Sequence, residues 1–247
     1  MKAVVLAGGY AKRLWPLTLE QAKPMVDVNG RPIVAHILDK LESNSHIDSI
    51  IISTNAKFAG NFRDWLSTQR YKKQIKVVVE NTGREEEKLG AIGGLNHVIE
   101  QEKINEDLLV IGGDNLMGLD ISEMVRLYHD KKSPVVAAYD IKSLDAVRGR
   151  YGEILHSNNR ITQLREKPDD PKSTLISTCC YIFPKGMHKD IRQYISEGNN
   201  RDAPGFFINW LASRKDVFVH VFDSYWYDIG DHATLEKARA FARQNLN

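Results

Sequence analysis

An apolar run that breaks into glycines and then into spaced cations, MKAVVLAGGYAKRLWPLTLEQAKPM over residues 1–25, constrains this chain more than any other stretch. Residues 2–7 are too short for a buried helix and rich in Val, which predicts a central strand of a parallel sheet. Gly8 and Gly9 end that strand. A glycine pair at a strand's carboxyl end lets the backbone turn sharply and lets a ligand reach its amides with no Cβ in the way. Arg13 and Lys23 bracket the loop, and Pro16 and Pro24 keep it from becoming one helix, so a polyphosphate could lie between a guanidinium fork and an ammonium. No third glycine comes at dinucleotide spacing and no GKS or GKT closes a phosphate loop, so neither common nucleotide fingerprint applies. A glycine pair and two loop cations are common on their own, and their meaning depends on the rest of the chain.

Beyond this stretch, helical and extended patterns alternate. Helical spacing predicts helices over residues 33–41, with Pro32 in the first turn, and over 58–66, 89–99 and 121–128. Strands are predicted over 47–52, 75–79, 108–111 and 135–139. This alternation gives an α/β class: a Rossmann-like mixed, mostly parallel central sheet with helices on both faces. From Arg150 the chain turns strand-rich, with YGEILH, RITQLREKP and LISTCCYIF, and Asn158–Asn159 predicts a hairpin turn. That stretch builds a small β-rich lobe. Helices over 187–195 and 205–211, a strand over 217–222 and a last helix from Ala233, capped by Asp231, complete one domain spanning residues 1–247.

Several loops sit where ligands bind in such sheets. ENTGREEEK, residues 80–88, is a polar loop at a strand's carboxyl end, and Gly90, Gly93 and Gly94 in the helix after it imply close approach of a flat ligand or of neighbouring backbone. Glu85, Glu86 and Glu87 read as a solvated face, since three consecutive side chains converge poorly. Gly112 and Gly113 precede Asp114 at another strand end, an uncrowded carboxylate suited to a hard cation or to turn hydrogen bonds. His36 reads as a structural helix residue. Cys179 and Cys180, adjacent in an apolar strand, point to opposite faces and are expected to stay reduced.

AGGYAKRLWPLT followed by AKPMVDVNGRPI resembles the signature of the sugar-1-phosphate nucleotidyltransferases, in which LAGGxGTRLxPLT precedes PKPMxPVxGKPI. LGAIGGL, GGDN, YGEI, REKP and WYDIGD are similar to further motifs of that family, in the same order. The resemblance implies that Leu6, Ala7, Gly8, Gly9, Leu89 and Gly90 bind the nucleotide, and that Gly152, Glu166 and Lys167 bind the sugar phosphate. It implies Arg13 and Lys23 as catalytic cations and Asp114 and Asp228 as ligands of Mg²⁺. Residues 1–140 would then be the nucleotide-binding part, 141–230 the sugar-binding part and 231–247 a terminal helix. Tyr10, Ala11, Lys12, Ala91, Ser177, Cys179 and Asp231 depart from the family's usual residues. The short stretch after Asp231 leaves no room for the appended β-helix of bifunctional relatives, so one activity is expected.

The implied reaction is attack of a sugar-1-phosphate oxygen on the α-phosphorus of a nucleoside triphosphate, giving a nucleotide sugar and pyrophosphate. Its demands are alignment and charge neutralisation, which suits cations and carboxylates without an evident nucleophile. Glucose-1-phosphate with UTP or dTTP is the first expectation and mannose-1-phosphate with GTP the second. A metal-dependent glycosyltransferase is a competitor, though its usual DxD is missing at Asp114-Asn115-Leu116, and a non-catalytic nucleotide-sugar sensor is another. A formal charge of +2 argues against bulk nucleic-acid binding. No apolar run is long enough for a membrane span, and the amino terminus reads as a strand, so a cytoplasmic protein is expected. Self-association as a homo-oligomer stays open.

Overall fold

Ala3, Val4 and Val5 are fully buried in β1 (Lys2–Leu6), with Ala3 and Val5 in one hydrophobic core and Val4 in a second. The alternation follows from a strand covered on both faces. In this computed structural model, which describes residues 1–246, β1 leads into a small hairpin of β2 (Asp27–Val28) and β3 (Arg31–Pro32). Then come α1 (Ile33–Ser43), β4 (Ser49–Asn55), α2 (Ala59–Ser67), β5 (Gln74–Glu80), α3 (Gly90–Gln101), β6 (Leu108–Gly112) and β7 (Asn115–Met117). The middle holds α4 (Ile121–Lys131), β8 (Val135–Asp140), the one-turn α5 (Leu144–Val147), β9 (Gly152–Ser157), β10 (Arg160–Glu166) and β11 (Leu175–Phe183). It ends with α6 (His188–Ser196), α7 (Pro204–Ala212), β12 (Phe218–Phe222), β13 (Trp226–Asp228) and α8 (His232–Asn245).

Nine strands form one sheet in the order β5-β4-β1-β6-β11-β8-β12-β10-β9. The first four are mutually parallel, which puts the carboxyl ends of β1, β4, β5 and β6 on one rim. β11 runs antiparallel to β6 and β8, and β10 antiparallel to β12 and β9, so the sheet is mixed beyond β6. The strand-rich stretch therefore extends the same sheet instead of forming one of its own. Helices α1, α2, α4 and α8 cover the face of Ala3 and Val5, and α3, α6 and α7 cover the face of Val4. In α1 the buried Ile33, Ile37, Leu38 and Leu41 keep the helical period seen in the sequence. Each such side chain contributes about 1.5–3 kcal/mol relative to exposure.

The structure corrects details of the reading. Pro32 is extended and paired in the β2–β3 hairpin, so α1 starts after it, at Ile33. Asp231 does cap α8, accepting from Thr234 N at 2.8 Å, but the helix begins at His232. His36 bonds the Val28 carbonyl at 3.0 Å, a structural role. Asn158 and Asn159, at φ 50° and 61°, make the expected hairpin turn. β11 is not a straight strand: its register shifts between Ser177 and Tyr181, with Cys179 left-handed at φ 54°. Both cysteines are free, Cys180 in the first core and Cys179 against the second. Among the described residues, no helix is long and apolar enough to cross a membrane.

Candidate active site

β7 begins immediately after Asp114 and β13 ends at Asp228. Their antiparallel register sets Asp228 opposite Asn115, and Ile229 N donates to the Asp114 carbonyl at 3.1 Å. Two carboxylates far apart in sequence are thereby brought to one place by a three-residue ribbon. Trp226 Nε1 donates to Asn115 Oδ1 at 2.8 Å, and Asn115 Nδ2 donates to Asp114 Oδ1 at 3.0 Å. The indole thus orients the amide, and the amide the carboxylate. Lys23 Nζ lies 2.5 Å from Asp114 Oδ2. Behind them Gly113 N donates to Leu6 O at 2.8 Å, and a Cβ on Gly113 would come within 2.9 Å of that oxygen.

Burial, followed by the charge of Asp114, pushes the Asp228 carboxyl above the usual carboxylate range, with Lys23 and Arg13 opposing. Two carboxylates crowded together are the donor set of a hard divalent cation, and Asp114 and Asp228 fit Mg²⁺ on that ground. Among the described residues no group of three or more His, Cys, Asp and Glu gathers to form a closed metal cage. Substrate oxygens and water would therefore complete the coordination, as Mg²⁺ commonly requires.

Two cavities meet at Asp114, Cys179, Asp202 and Pro204. The larger, about 550 Å³, is lined by Arg13, Asp228, Gly152, Glu166 and Lys167 together with Asp114. Glu166 stands between two glycines: a Cβ on Gly152 would lie 3.1 Å from its Oε2, and one on Gly205 only 2.1 Å away. Burial raises its carboxyl above the ordinary value and Lys167 lowers it. A carboxylate exposed in this way accepts paired hydroxyl hydrogen bonds. Gly205, in the first turn of α7, escaped the sequence reading because its requirement comes from a side chain on a distant strand.

The smaller cavity, about 360 Å³, is lined by Leu6, Gly8, Gly9 and Gly90, with Glu80 and Tyr10 among the other walls. Gly90 has φ +75°, and a Cβ there would sit 2.5 Å from Arg201 O. The neighbouring backbone, not a ligand, explains that glycine. Ala7 is buried, and Leu89 precedes α3 against Gly93; neither lines either cavity. Lys23 reaches the junction through Asp114, and Arg13 borders the larger cavity beside Gly230. Glu85 pairs with Lys12, and Glu87 accepts from Gly83 N at 2.9 Å, so the acidic run braces its loop and does not converge. Glu80 is a cavity residue that sequence reasoning missed, whereas Cys179, a departure from the family's pattern already visible in the sequence, lines both cavities. Glu80 had a signal, its place at a strand's carboxyl end beside a glycine-rich helix.

The chain matches the nucleotidyl transferase family over residues 2–245. It is 30% identical over 232 residues to a Sulfolobus acidocaldarius protein assigned as a mannose-1-phosphate guanyltransferase, covering 93% of this chain and 60% of that one. To the mannose-1-phosphate guanylyltransferase of Mycobacterium tuberculosis it is 29% identical over 236 residues, covering 92% and 60%. The chain thus spans about 60% of the length of these curated relatives. A crystal structure of a Bacillus anthracis protein assigned as a glucose-1-phosphate thymidylyltransferase superposes with a TM-score of 0.85 at 28% identity, over 100% of this chain and 96% of that one. With the match running from the first strand to the last helix, and with most of the motif residues lining one or other of two adjoining cavities, this chain belongs to the nucleotidyl transferase family.

Proposed function

We propose that this chain transfers a nucleotidyl group from a nucleoside triphosphate to a sugar-1-phosphate, releasing pyrophosphate. The observation that carries the reading is the meeting of Lys23, Asp114 and Asp228, with Asp114 lining both cavities. An oxygen of the sugar phosphate attacks the α-phosphorus, and the bond to the β-phosphate oxygen breaks as pyrophosphate leaves. The attacking oxygen is already anionic, so no general base is needed and catalysis rests on alignment and electrostatics. Mg²⁺ on Asp114 and Asp228 would supply Lewis-acid neutralisation of the crowded phosphates.

The side chains divide the work. The Gly8–Gly9 loop lines the nucleotide side, where its amides would meet phosphate oxygens. Lys23, held at the junction, meets the α-phosphate, and Arg13 grips the leaving phosphates. Glu166 accepts hydroxyl hydrogen bonds from the sugar, and Lys167, left-handed at φ 47° on the rim of the larger cavity, meets its phosphate. The family resemblance favours glucose-1-phosphate with UTP or dTTP. The guanylyltransferases among the relatives favour mannose-1-phosphate with GTP. With soluble nucleotide and sugar substrates, the activity belongs in the cytoplasm.

A pyrophosphate-release assay across nucleoside triphosphates and sugar-1-phosphates tests the reading. Release that requires both substrates and a divalent cation supports it. Transfer of sugar from a finished nucleotide sugar would instead support the glycosyltransferase, and tight nucleotide-sugar binding without turnover the sensor. Exchange of labelled pyrophosphate into the triphosphate without sugar phosphate would indicate a nucleotidylated enzyme and overturn direct displacement.

A further inference from the structure

Glu80 ends β5 and is only 5% exposed, yet its carboxylate forms part of the wall of the smaller cavity. Two glycines leave that wall uncovered. A Cβ on Gly8 would lie 2.9 Å from Glu80 Oε1, and a Cβ on Gly94 would lie 2.5 Å from it. The glycine in mid-helix α3, which weakens the helix intrinsically, is thus required by this carboxylate. Among the described residues one protein donor reaches the group: Ser53 Oγ donates to Oε1 at 3.1 Å. Burial is the first cause raising its carboxyl above the ordinary range, with the Ser53 hydrogen bond and the charge of His97 opposing it. A carboxylate out of water with one donor is short of hydrogen bonds, and the cavity is where more can come from.

We infer that Glu80 reads the nucleobase and selects guanine. This rests on the reading of the site as a nucleotidyltransferase centre and names the triphosphate it takes. The same cavity carries Glu80, the open Gly8–Gly9 loop and Asp114, so a triphosphate with its phosphates on the loop and at Asp114 has its base within the cavity that Glu80 walls. An ionised carboxylate only accepts. Guanine presents two adjacent donors, N1–H and N2–H₂, which match its two oxygens as a bidentate pair. Uracil and thymine present one N3–H between two carbonyls, whose lone pairs face the carboxylate oxygens. Adenine and cytosine each set a ring-nitrogen acceptor beside their single amine. Guanine alone among these bases satisfies both oxygens without opposing an acceptor.

The test uses the full chain. Pyrophosphate release is measured with GTP, ITP, UTP, dTTP, CTP and ATP against mannose- and glucose-1-phosphate, and binding of GDP, IDP and UDP is measured by calorimetry. GTP should exceed UTP and dTTP by about 100-fold or more in kcat/KM, the discrimination of a site built around specific donors. ITP, which lacks the N2 amine, should fall between. Glu80→Gln, nearly isosteric, can donate to a carbonyl and accept from N3–H, so it should lose most of the GTP preference and gain on UTP or dTTP. UTP or dTTP equal to or better than GTP in the wild type, or an unchanged preference in Glu80→Gln, overturns the inference. Tighter binding of GDP than of UDP, reversed in Glu80→Gln, upholds it without turnover, and equal binding overturns it. Absence of pyrophosphate release from every pair would count against the transferase reading alone.

Discussion

Lys23 and Asp114 form an ion pair of 2.5 Å, joining the cation of the amino-terminal loop to the carboxylate at the end of β6. Asp114 lines both cavities, and both side chains are only partly open to solvent. On the proposed reaction the pair would hold a positive charge beside the α-phosphorus. Charge that builds between attacking and leaving oxygens in the transition state is what such a cation meets, so it should matter more to turnover than to ground-state binding. Lys23→Ala should lower kcat by about 100-fold or more, with the triphosphate KM little changed. Lys23→Arg should not restore it fully, because a planar fork does not replace a compact ammonium at a crowded phosphorus. Arg13→Ala should raise the triphosphate KM as well. Steady-state kinetics with both substrates varied separate these outcomes, and a Lys23→Ala enzyme of wild-type kcat would remove Lys23 from the mechanism.

Asp114 and Asp228 lend themselves to a test that does not depend on turnover. In chelator-treated protein the Asp228 carboxylate is held against burial and against Asp114. Asp228→Asn removes that repulsion, so the chelator-treated variant should melt above the wild type. Added Mg²⁺ should raise the wild-type Tm through preferential binding to the folded state and leave Asp228→Asn nearly unmoved. Activity should meanwhile fall by about 100-fold or more in either Asp114→Asn or Asp228→Asn. Thermal melts with and without divalent cation decide between this and a merely structural aspartate.

These residues differ in how visibly the sequence announced them. The β1 strand and its glycine turn follow from local pattern, because a Val-rich run broken by Gly8–Gly9 has few other physical solutions. The convergence of Asp114 on Asp228 does not. It depends on β7 and β13, strands of three residues whose pairing leaves no periodicity, and it was legible only through motif resemblance. Glu80 reads as the start of a polar loop; its burial is produced by α3 packing over it, a tertiary effect. The bulge at Cys179 was hidden because LISTCCYIF reads as an unbroken apolar strand and Cys carries no turn signal.

Glu166 gives a pH signature. Its folded carboxyl is raised above the ordinary 4.5 by burial, so the folded state holds this proton more tightly than the unfolded chain does. Its contribution to stability is therefore greatest below the unfolded value and declines as pH rises from there through the folded one. Glu166→Gln removes the decline. Thermal midpoints of the two proteins should converge at low pH and separate toward neutrality, with the variant higher. Its KM for sugar-1-phosphate should rise at the same time. A variant that tracks the wild type at every pH would show that burial does not strain this carboxylate.

Gly205→Ala would test the sugar side of the site through packing alone. The added Cβ would meet Glu166 Oε2 at 2.1 Å and Leu164 Cδ2 at 2.7 Å, so both side chains must yield. Glu166 can swing into the larger cavity, whereas Leu164 is buried and has nowhere to go. Overpacking of this kind costs typically about 1–3 kcal/mol, measurable as a lower denaturation midpoint. Because the displaced carboxylate is the proposed hydroxyl acceptor, KM for the sugar-1-phosphate should rise about tenfold or more while the triphosphate KM stays within about twofold. The coupling can be isolated. In a Glu166→Ala background the carboxylate is gone, so adding Gly205→Ala should leave the sugar-1-phosphate KM where Glu166→Ala put it and cost less stability than it does alone. Additive effects on KM would mean that Gly205 shapes the sugar pocket independently of Glu166, and would detach the glycine pair from the carboxylate it flanks.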